Sequence, residues 1–476
     1  MKLFLIFNSM KTFLLLFIFT ISNIYAQNIE GLIVDEENLP ISEANIILSN
    51  TGIGTISNIQ GKFTLRVPEK LASELIIFSY LGYESKEMNV TDLKQNNKIQ
   101  LKRTTTELNE VFVEKKIKLT ANEIITKAFN NYTKTFPTDA YITKGFLRYT
   151  EKTNKEYKWL IESTLDLYDP SITKTSDHIK LNVKEVRKSF DNRVLDTIKK
   201  YVLYLYGKGM PLRKAIRFSA YNELSKQELK KAIIYGDNKD YKKSTVYNNL
   251  KNIFSKANVL RNYNTKDAIF TEKTLLKKHT FKLDTILDYN GDDIYKIKIT
   301  PKKSLVKLNK KLKKNLLPFG WIYVRATDFA IFEFDYTLVN SKRIQLYTNL
   351  TNSKIHSSFK IKFNEFNGEM YPKYLVYKKS KINRILDSFE AIDNKTNNTD
   401  IHYFSTLEVL FTEIITDKEK INTALQKKWD NNLFKPRQYH TDFWKDYNIL
   451  LESKAQKNMR QDLEQKVKLK EQYQNN

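Results

Sequence analysis

Two Asn-Gly dipeptides, Asn290-Gly291 and Asn367-Gly368, each join segments in which apolar and polar side chains alternate. These are HTFKLDTILDY and DDIYKIKITP around the first, HSSFKIKFNEF and EMYPKYLVYKKS around the second. Asn and Gly both tolerate positive φ, which a two-residue hairpin turn of type I′ demands at both positions. The flanking alternation has a period of two, so each pair predicts adjacent antiparallel strands. A third pair, GWIYVR and FAIFEFDYTLV, turns at Ala326-Thr327-Asp328, a weaker signal. Three successive hairpins predict a large curved antiparallel sheet.

The same rhythm in YITKGFLRYTEK and EYKWLIESTLDLY, from Tyr141, places this β domain at residues 138–415. A helical insertion is expected over about 205–275, where Ser225 and Glu228 have capping-box spacing and Val246, Leu250, Ile253 and Phe254 share one helical face. Ahead of it, Thr120 with Glu123 and the apolar Ile124, Ile125, Ala128 and Phe129 predict an amphipathic connector helix within 116–137. Residues 416–476 read as helical and charged. Their aromatic beginning is expected to pack on the sheet and their last fifteen or so residues to fray.

Residues 27–115 show about seven short alternating segments separated by turn residues, the pattern of an antiparallel β-sandwich. In GTISNIQGKFTLRVP (54–68), Phe63, Leu65 and Val67 point one way and Lys62, Thr64 and Arg66 the other. Gly54 and Gly61 are expected to be turn residues at positive φ. The fold class is therefore mainly β with added helices: an amino-terminal immunoglobulin-like β-sandwich, a larger curved antiparallel sheet domain and a helical carboxyl-terminal segment.

Residues 1–26 carry Lys2 and Lys11, a short apolar run from Phe13 to Ile21, and Ala26 before the expected cut, the order of a secretory signal peptide. No later run approaches the roughly 18 apolar residues of a spanning helix. The absence of cysteine excludes disulfides, thiolate metal sites and a lipid-modified amino-terminal cysteine. The net charge of +26 suits an anionic partner, but basic residues are scattered without a nucleic-acid arm. Charges also interrupt both faces of the strands, four in the thirteen residues of SSFKIKFNEFNGE, which argues against a lipid-facing barrel.

The run IEGLIVDEENLPISEANIILSNTGIGTISNIQGKFTLRVP, followed by LIIFSYLGYES, resembles the carboxypeptidase regulatory-like domain, a transthyretin-like sandwich of exported Bacteroidetes-type proteins. The match rests on Gly31, Pro40, Ala44, Asn45, Gly54, Thr55, Gly61, Phe63, Leu65, Gly82 and Tyr83. ELNEVFV (107–113) looks like its closing strand. The departures are Ser57-Asn58 and Gln60, where the family usually carries Thr-Asp and Asp. The resemblance implies an interaction module without peptidase residues. DDIYKIKITP and GWIYVRATDFAIFEFD also look like the half-barrel of lipoprotein carriers, which implies a groove able to hold an acyl chain.

Candidate chemistry is sparse. Asp288, Asn290 and Asp292 have the spacing of a calcium loop, but no distal glutamate follows and the Asn-Gly turn explains them equally. His178, His279, His356, His402 and His440 fit no metal-binding spacing. No nucleophile elbow, phosphate loop or dinucleotide fingerprint occurs. Asp-Thr-Ile at 196–198 and 284–286 resembles an O-glycosylation sequon of the same bacteria, and also reads as a strand start. The leading expectation is a non-enzymatic exported cell-envelope protein, periplasmic or outer-membrane-associated, with no cofactor, no nucleic acid and a protein or glycan partner. A carrier or sensor of a lipophilic ligand is the alternative; a hydrolase built from scattered carboxylates is the third.

Overall fold

The computed structural model describes residues 27–93, 97–104, 119–152, 157–174, 178–189, 201–202, 204–221, 275–276, 279–301, 306–307, 315–340, 355–382, 402–433, 437–445 and 447–474. The expected signal peptide, the 107–113 strand and the helices at 225–236 and 245–258 lie outside them.

Among the described residues, seven strands form the amino-terminal sandwich: β1 (Gln27–Val34), β2 (Asn45–Leu48), β3 (Gly54–Ile56), β4 (Lys62–Val67), β5 (Leu75–Ser79), β6 (Lys86–Asn89) and β7 (Asn97–Gln100). They make two sheets, β4-β1-β7 and β3-β2-β5-β6. Phe63, Leu65 and Val67 are fully buried, as their alternation requires, and Phe63 meets Phe78 of the other sheet edge to face at 5.6 Å. One pairing departs from the antiparallel expectation. β7 runs parallel to β1, because the chain reaches it by crossing from the second sheet and not through a hairpin. Gly61 has φ +73°, but Gly54 is a buried strand residue. Its lack of a side chain serves close approach, since a Cβ there would press on the Ile46 carbonyl and on Lys373 Nζ.

The body is a single antiparallel sheet built from β8 (Tyr141–Lys152), β9 (Tyr157–Asp169), β10 (Lys180–Lys188), β11 (His279–Tyr289), β12 (Asp292–Pro301), β13 (Val306–Lys307), β14 (Asn315–Arg325), β15 (Ile331–Asn340), β16 (Ile355–Phe366), β17 (Glu369–Ile382) and β18 (His402–Ile415). The order is β10-β9-β8-β18-β17-β16-β15-β14-β12-β11, with β13 on β14. Both Asn-Gly turns form as expected: Asn290 and Gly291 have φ of 55° and 84°, Asn367 and Gly368 of 51° and 79°. The weaker middle turn is pinned by Arg325, whose Nε and Nη2 donate to Asp328 at 2.9 and 2.7 Å.

The helices include α1 (Ala121–Asn130), α2 (Tyr132–Thr135), α3 (Leu212–Tyr221), α4 (Lys418–Leu425), α5 (Thr441–Lys445), α6 (Lys454–Leu463) and α7 (Leu469–Gln474). α1 starts on the reciprocal Thr120–Glu123 capping box and buries Ile124, Ile125, Ala128 and Phe129. α3 lies within the expected helical insertion, and residues 204–207 just before it are helical too. The expected fraying of the last residues is overturned. Met459, Leu463, Leu469 and Tyr473 bury an apolar side against Leu160 of β9, which fixes the segment to Gln474.

The two faces of the large sheet differ in chemistry. Ile297, Ile322, Phe334, Ile361, Leu375, Val409 and Leu147 stand directly opposite one another on seven adjacent strands, all buried. α1 packs its apolar stripe into the same cluster, and Phe136, just after α2, meets Phe363 edge to face at 4.9 Å. This face is core. The other face carries charge.

Candidate functional site

On the opposite face, register lines up Lys298, Trp321, Asp335, Lys360, Val376, Glu408, Arg148, Glu162 and Arg187 across nine strands. Directly opposed residues on one face are about 5 Å apart, so alternating signs attract across the ladder. Two clusters grow from this row, and each ties the sheet to another part of the chain.

The first cluster joins the sandwich to the sheet. Glu43, between β1 and β2, reaches Lys360 at 3.0 Å and Lys362 at 2.8 Å, and both lysines also face Glu333, at 3.7 and 3.4 Å. Two positive and two negative groups make a neutral quartet. Burial alone would raise the Glu43 carboxyl, but Lys362 and Lys360 outweigh it and hold it down at about 2. Glu43 adopts φ 59°, a left-handed conformation that a non-glycine residue keeps only where its surroundings fix it. Lys373 lies beside this contact, under Gly54, with its ammonium nitrogen 3.2 Å from the Phe411 carbonyl oxygen. Burial pushes its amine down to about 7.

The second cluster holds the carboxyl-terminal segment. Glu162, fully buried, accepts from Arg148 at 2.8 Å, Arg187 at 2.6 Å and Arg460 of α6 at 3.2 Å. Burial pushes its carboxyl up, and the three guanidiniums, Arg187 first, override it and bring it to about 2. Arg148 also donates to the Leu450 carbonyl oxygen at 2.9 Å, and Gln456 donates to Glu408 at 2.8 Å. Arg460 pairs with Glu452, whose carbonyl oxygen accepts from Asn58 of the sandwich at 3.1 Å. Trp444 and Leu450 bury against Phe146, Tyr374 and Leu410 of the sheet and Ile56 of the sandwich. Sandwich, sheet and carboxyl-terminal segment thus meet on one face.

The residues singled out by spacing do not assemble into a reactive centre among the described residues. Asn290 occupies the hairpin turn and accepts from Ser85, and the Asp288 carbonyl oxygen accepts from Gly82 N at 2.8 Å. Asp292 lies 3.8 Å from Arg325, so the triplet serves the turn and its contact with the sandwich. His279 is buried, with Nδ1 2.8 Å from the Leu275 carbonyl oxygen and Nε2 2.9 Å from the Tyr336 hydroxyl. His178 is exposed and His440 faces Glu185 at 3.0 Å. The side chains of His356 and His402 lie outside the description. Among the described residues no three His, Asp or Glu side chains are grouped to hold a metal ion. Thr285 of the second Asp-Thr-Ile triplet lies within β11, at a β-bulge; the first triplet lies outside the described residues. Neither ionic cluster carries a motif or spacing that marks it in the sequence, although their charges do occupy the outward positions of the alternation.

The departures at 57–60 keep the turn of the sandwich. Asn58 Oδ1 accepts from the backbone of Gln60 at 2.9 Å and Lys62 at 3.0 Å, while Ser57 Oγ donates to the Ile41 carbonyl oxygen at 2.7 Å. The turn role expected of an aspartate is filled by an amide. Residues 29–113 match the family model of the CarboxypepD_reg-like domain. A TonB-dependent receptor of Formosa agariphila is 33% identical to this chain over 97 residues, 20% of this chain. The match spans only 9% of that receptor's length. Among solved structures, a LolA superfamily protein from Nitrosomonas europaea aligns over 64% of this chain and 97% of its own at 9% identity and a TM-score of 0.20. The MucA/MucB complex of Pseudomonas aeruginosa aligns over 62% and 98% at 8% identity and a TM-score of 0.16. At such scores neither likeness bears on the function of the body. No described helix is long and apolar enough to cross a membrane.

Proposed function

We propose that this chain is a non-enzymatic cell-envelope protein, periplasmic or outer-membrane-associated, in which the CarboxypepD_reg-like sandwich is fixed to a β scaffold that presents partner-binding surface. The observation that carries this reading is the ionic junction. Glu43 bridges Lys360 and Lys362, and Asn58 and Arg66 take acceptors from the carboxyl-terminal segment, Glu452 O and Asn448 Oδ1. A module held at that many points is a structural part of a rigid platform. The matched receptor supports the envelope assignment. Fractionation of cells producing the tagged full chain tests it: recovery in the periplasmic or outer-membrane fraction is expected, and recovery in the cytosol overturns it.

The second reading, a carrier of a lipophilic ligand, has the apolar row beneath α1 in its favour, since that helix is the cover an acyl chain would have to displace. Ile124, Ile125, Ala128 and Phe129 already fill the contact, which favours the platform. Native mass spectrometry of the envelope-extracted protein separates the two. A co-purifying lipid supports the carrier, and bare protein mass supports the platform.

A further inference from the structure

Beyond the junction, the charged face runs on to the last strand of the sheet, β11, and its chemistry there differs. Lys282 of β11 stands directly opposite Lys298 of β12, and both are exposed. Like charges directly opposed on a strand pair repel. Among the described residues neither lysine has a carboxylate within 4 Å, whereas Lys360 and Lys362 are neutralised by Glu43 and Glu333. Trp321 follows Lys298 in the same row on β14, half-buried, with Lys296 Nζ 4.5 Å and Lys298 Nζ 5.6 Å from its ring centre. Phe319, two residues earlier on the same face, is 44% exposed. Thr280 and Thr300 pair across the strands on this face with their hydroxyls 2.7 Å apart. Lys296 has Asp284 at 3.6 Å, so the uncompensated charge is that of Lys282 and Lys298.

We propose that this strip binds an anionic polysaccharide, with its carboxylate or sulfate groups at Lys282 and Lys298 and a sugar ring against Trp321 and Phe319. The inference rests on the platform reading above and names the chemical class of its partner. An anion between the two ammonium groups relieves a repulsion that the fold leaves standing. Aromatic rings beside it supply apolar area for the C–H face of a sugar. The threonine hydroxyls and the neighbouring Asp335, whose carboxyl burial raises, can exchange hydrogen bonds with ring hydroxyls. A nucleic acid backbone is the poorer fit: the strip has no arginine for bidentate phosphate contact, and Asp284 and Asp335 flank it.

The test is titration calorimetry of the full chain with an oligoguluronate, a neutral β-glucan of the same length, a single-stranded oligonucleotide of equal charge and vesicles containing anionic phospholipid. The oligoguluronate is expected to bind, more weakly as salt rises, and the neutral glucan not. Trp321→Ala is expected to weaken binding about tenfold, and Lys282→Ser with Lys298→Ser to lower the log–log salt slope by about 2. Lys62→Ser with Lys98→Ser, which removes equal charge from exposed sandwich positions, is expected to change neither. Equal losses in that control pair, or binding unaffected by Trp321→Ala, would assign the affinity to overall charge and overturn the site. Tighter binding of the oligonucleotide or vesicles through the same residues would overturn the polysaccharide assignment. Cell fractionation judges the envelope reading separately, so the two can fail independently.

Discussion

Lys373 gives its hydrogen bond to the Phe411 carbonyl under a strand that only glycine fits at position 54, and among the described residues no carboxylate pairs with it. Its amine is lowered to about 7 from the usual 10.5, so between those values the unfolded chain binds a proton that the folded chain does not. Stability therefore rises with pH across about 7–10.5 and carries the full penalty below that window. Lys373→Met is expected to stabilise the protein at pH 7, on the order of 3 kcal/mol after allowing for the lost hydrogen bond. It should also remove the rise between pH 7 and 9.5 in urea unfolding; a parallel pH profile would refute the assignment. Glu162 has the opposite sign. Its carboxyl is held near 2 by three arginines, so its contribution is present above about 4.5 and lost as pH falls through 2. Glu162→Gln leaves buried guanidiniums short of charge and is expected to cost about 3–5 kcal/mol at pH 7, with a shallower acid limb in thermal denaturation.

At the scale of the elements, two glycines are needed for different reasons. Gly291 has φ +84° and open space around it, so Gly291→Ala costs only the left-handed conformation, about 1 kcal/mol. Gly320 has ordinary strand geometry, but a Cβ would overlap the Asp335 carbonyl of the paired strand. Gly320→Ala is expected to destabilise at least twice as much as Gly291→Ala in denaturant midpoint, and the reverse order would contradict the sheet register. The hairpins, the sandwich core and α1 were legible because their signals are local: Asn-Gly turns, alternation at Phe63, Leu65 and Val67, and a capping box. Gly54 was not, because what crowds it is the Ile46 carbonyl of the paired strand, known only once the register is, and Lys373, more than three hundred residues away. The ionic clusters were half legible. Glu333 and Lys362 sit at outward positions and stand directly opposite each other, yet the bulge at Leu338/Val339 defeats counting the pairing from the strand ends. The last fifteen or so residues read as frayed from sequence because the partner of Leu463, Leu469 and Tyr473, Leu160, lies on a distant strand.

In the whole molecule, the sandwich, the large sheet and the carboxyl-terminal segment are expected to behave as one body. Buried ion pairs add little over apolar packing, but they are costly to break from one side, which makes them fix a geometry more than they strengthen it. Glu43 is the point where that applies, since removing its charge leaves Lys360 and Lys362 sharing Glu333. Hydrogen–deuterium exchange of the intact chain, parent against Glu43→Gln, is the most direct measurement. Protection is expected to fall together in β3 of the sandwich and in β16 to β18 beneath it, while the Phe63–Phe78 core of the sandwich stays protected. Exchange that changes only in the loop around residue 43, with β3 and β18 as slow as in the parent, would contradict the rigid junction.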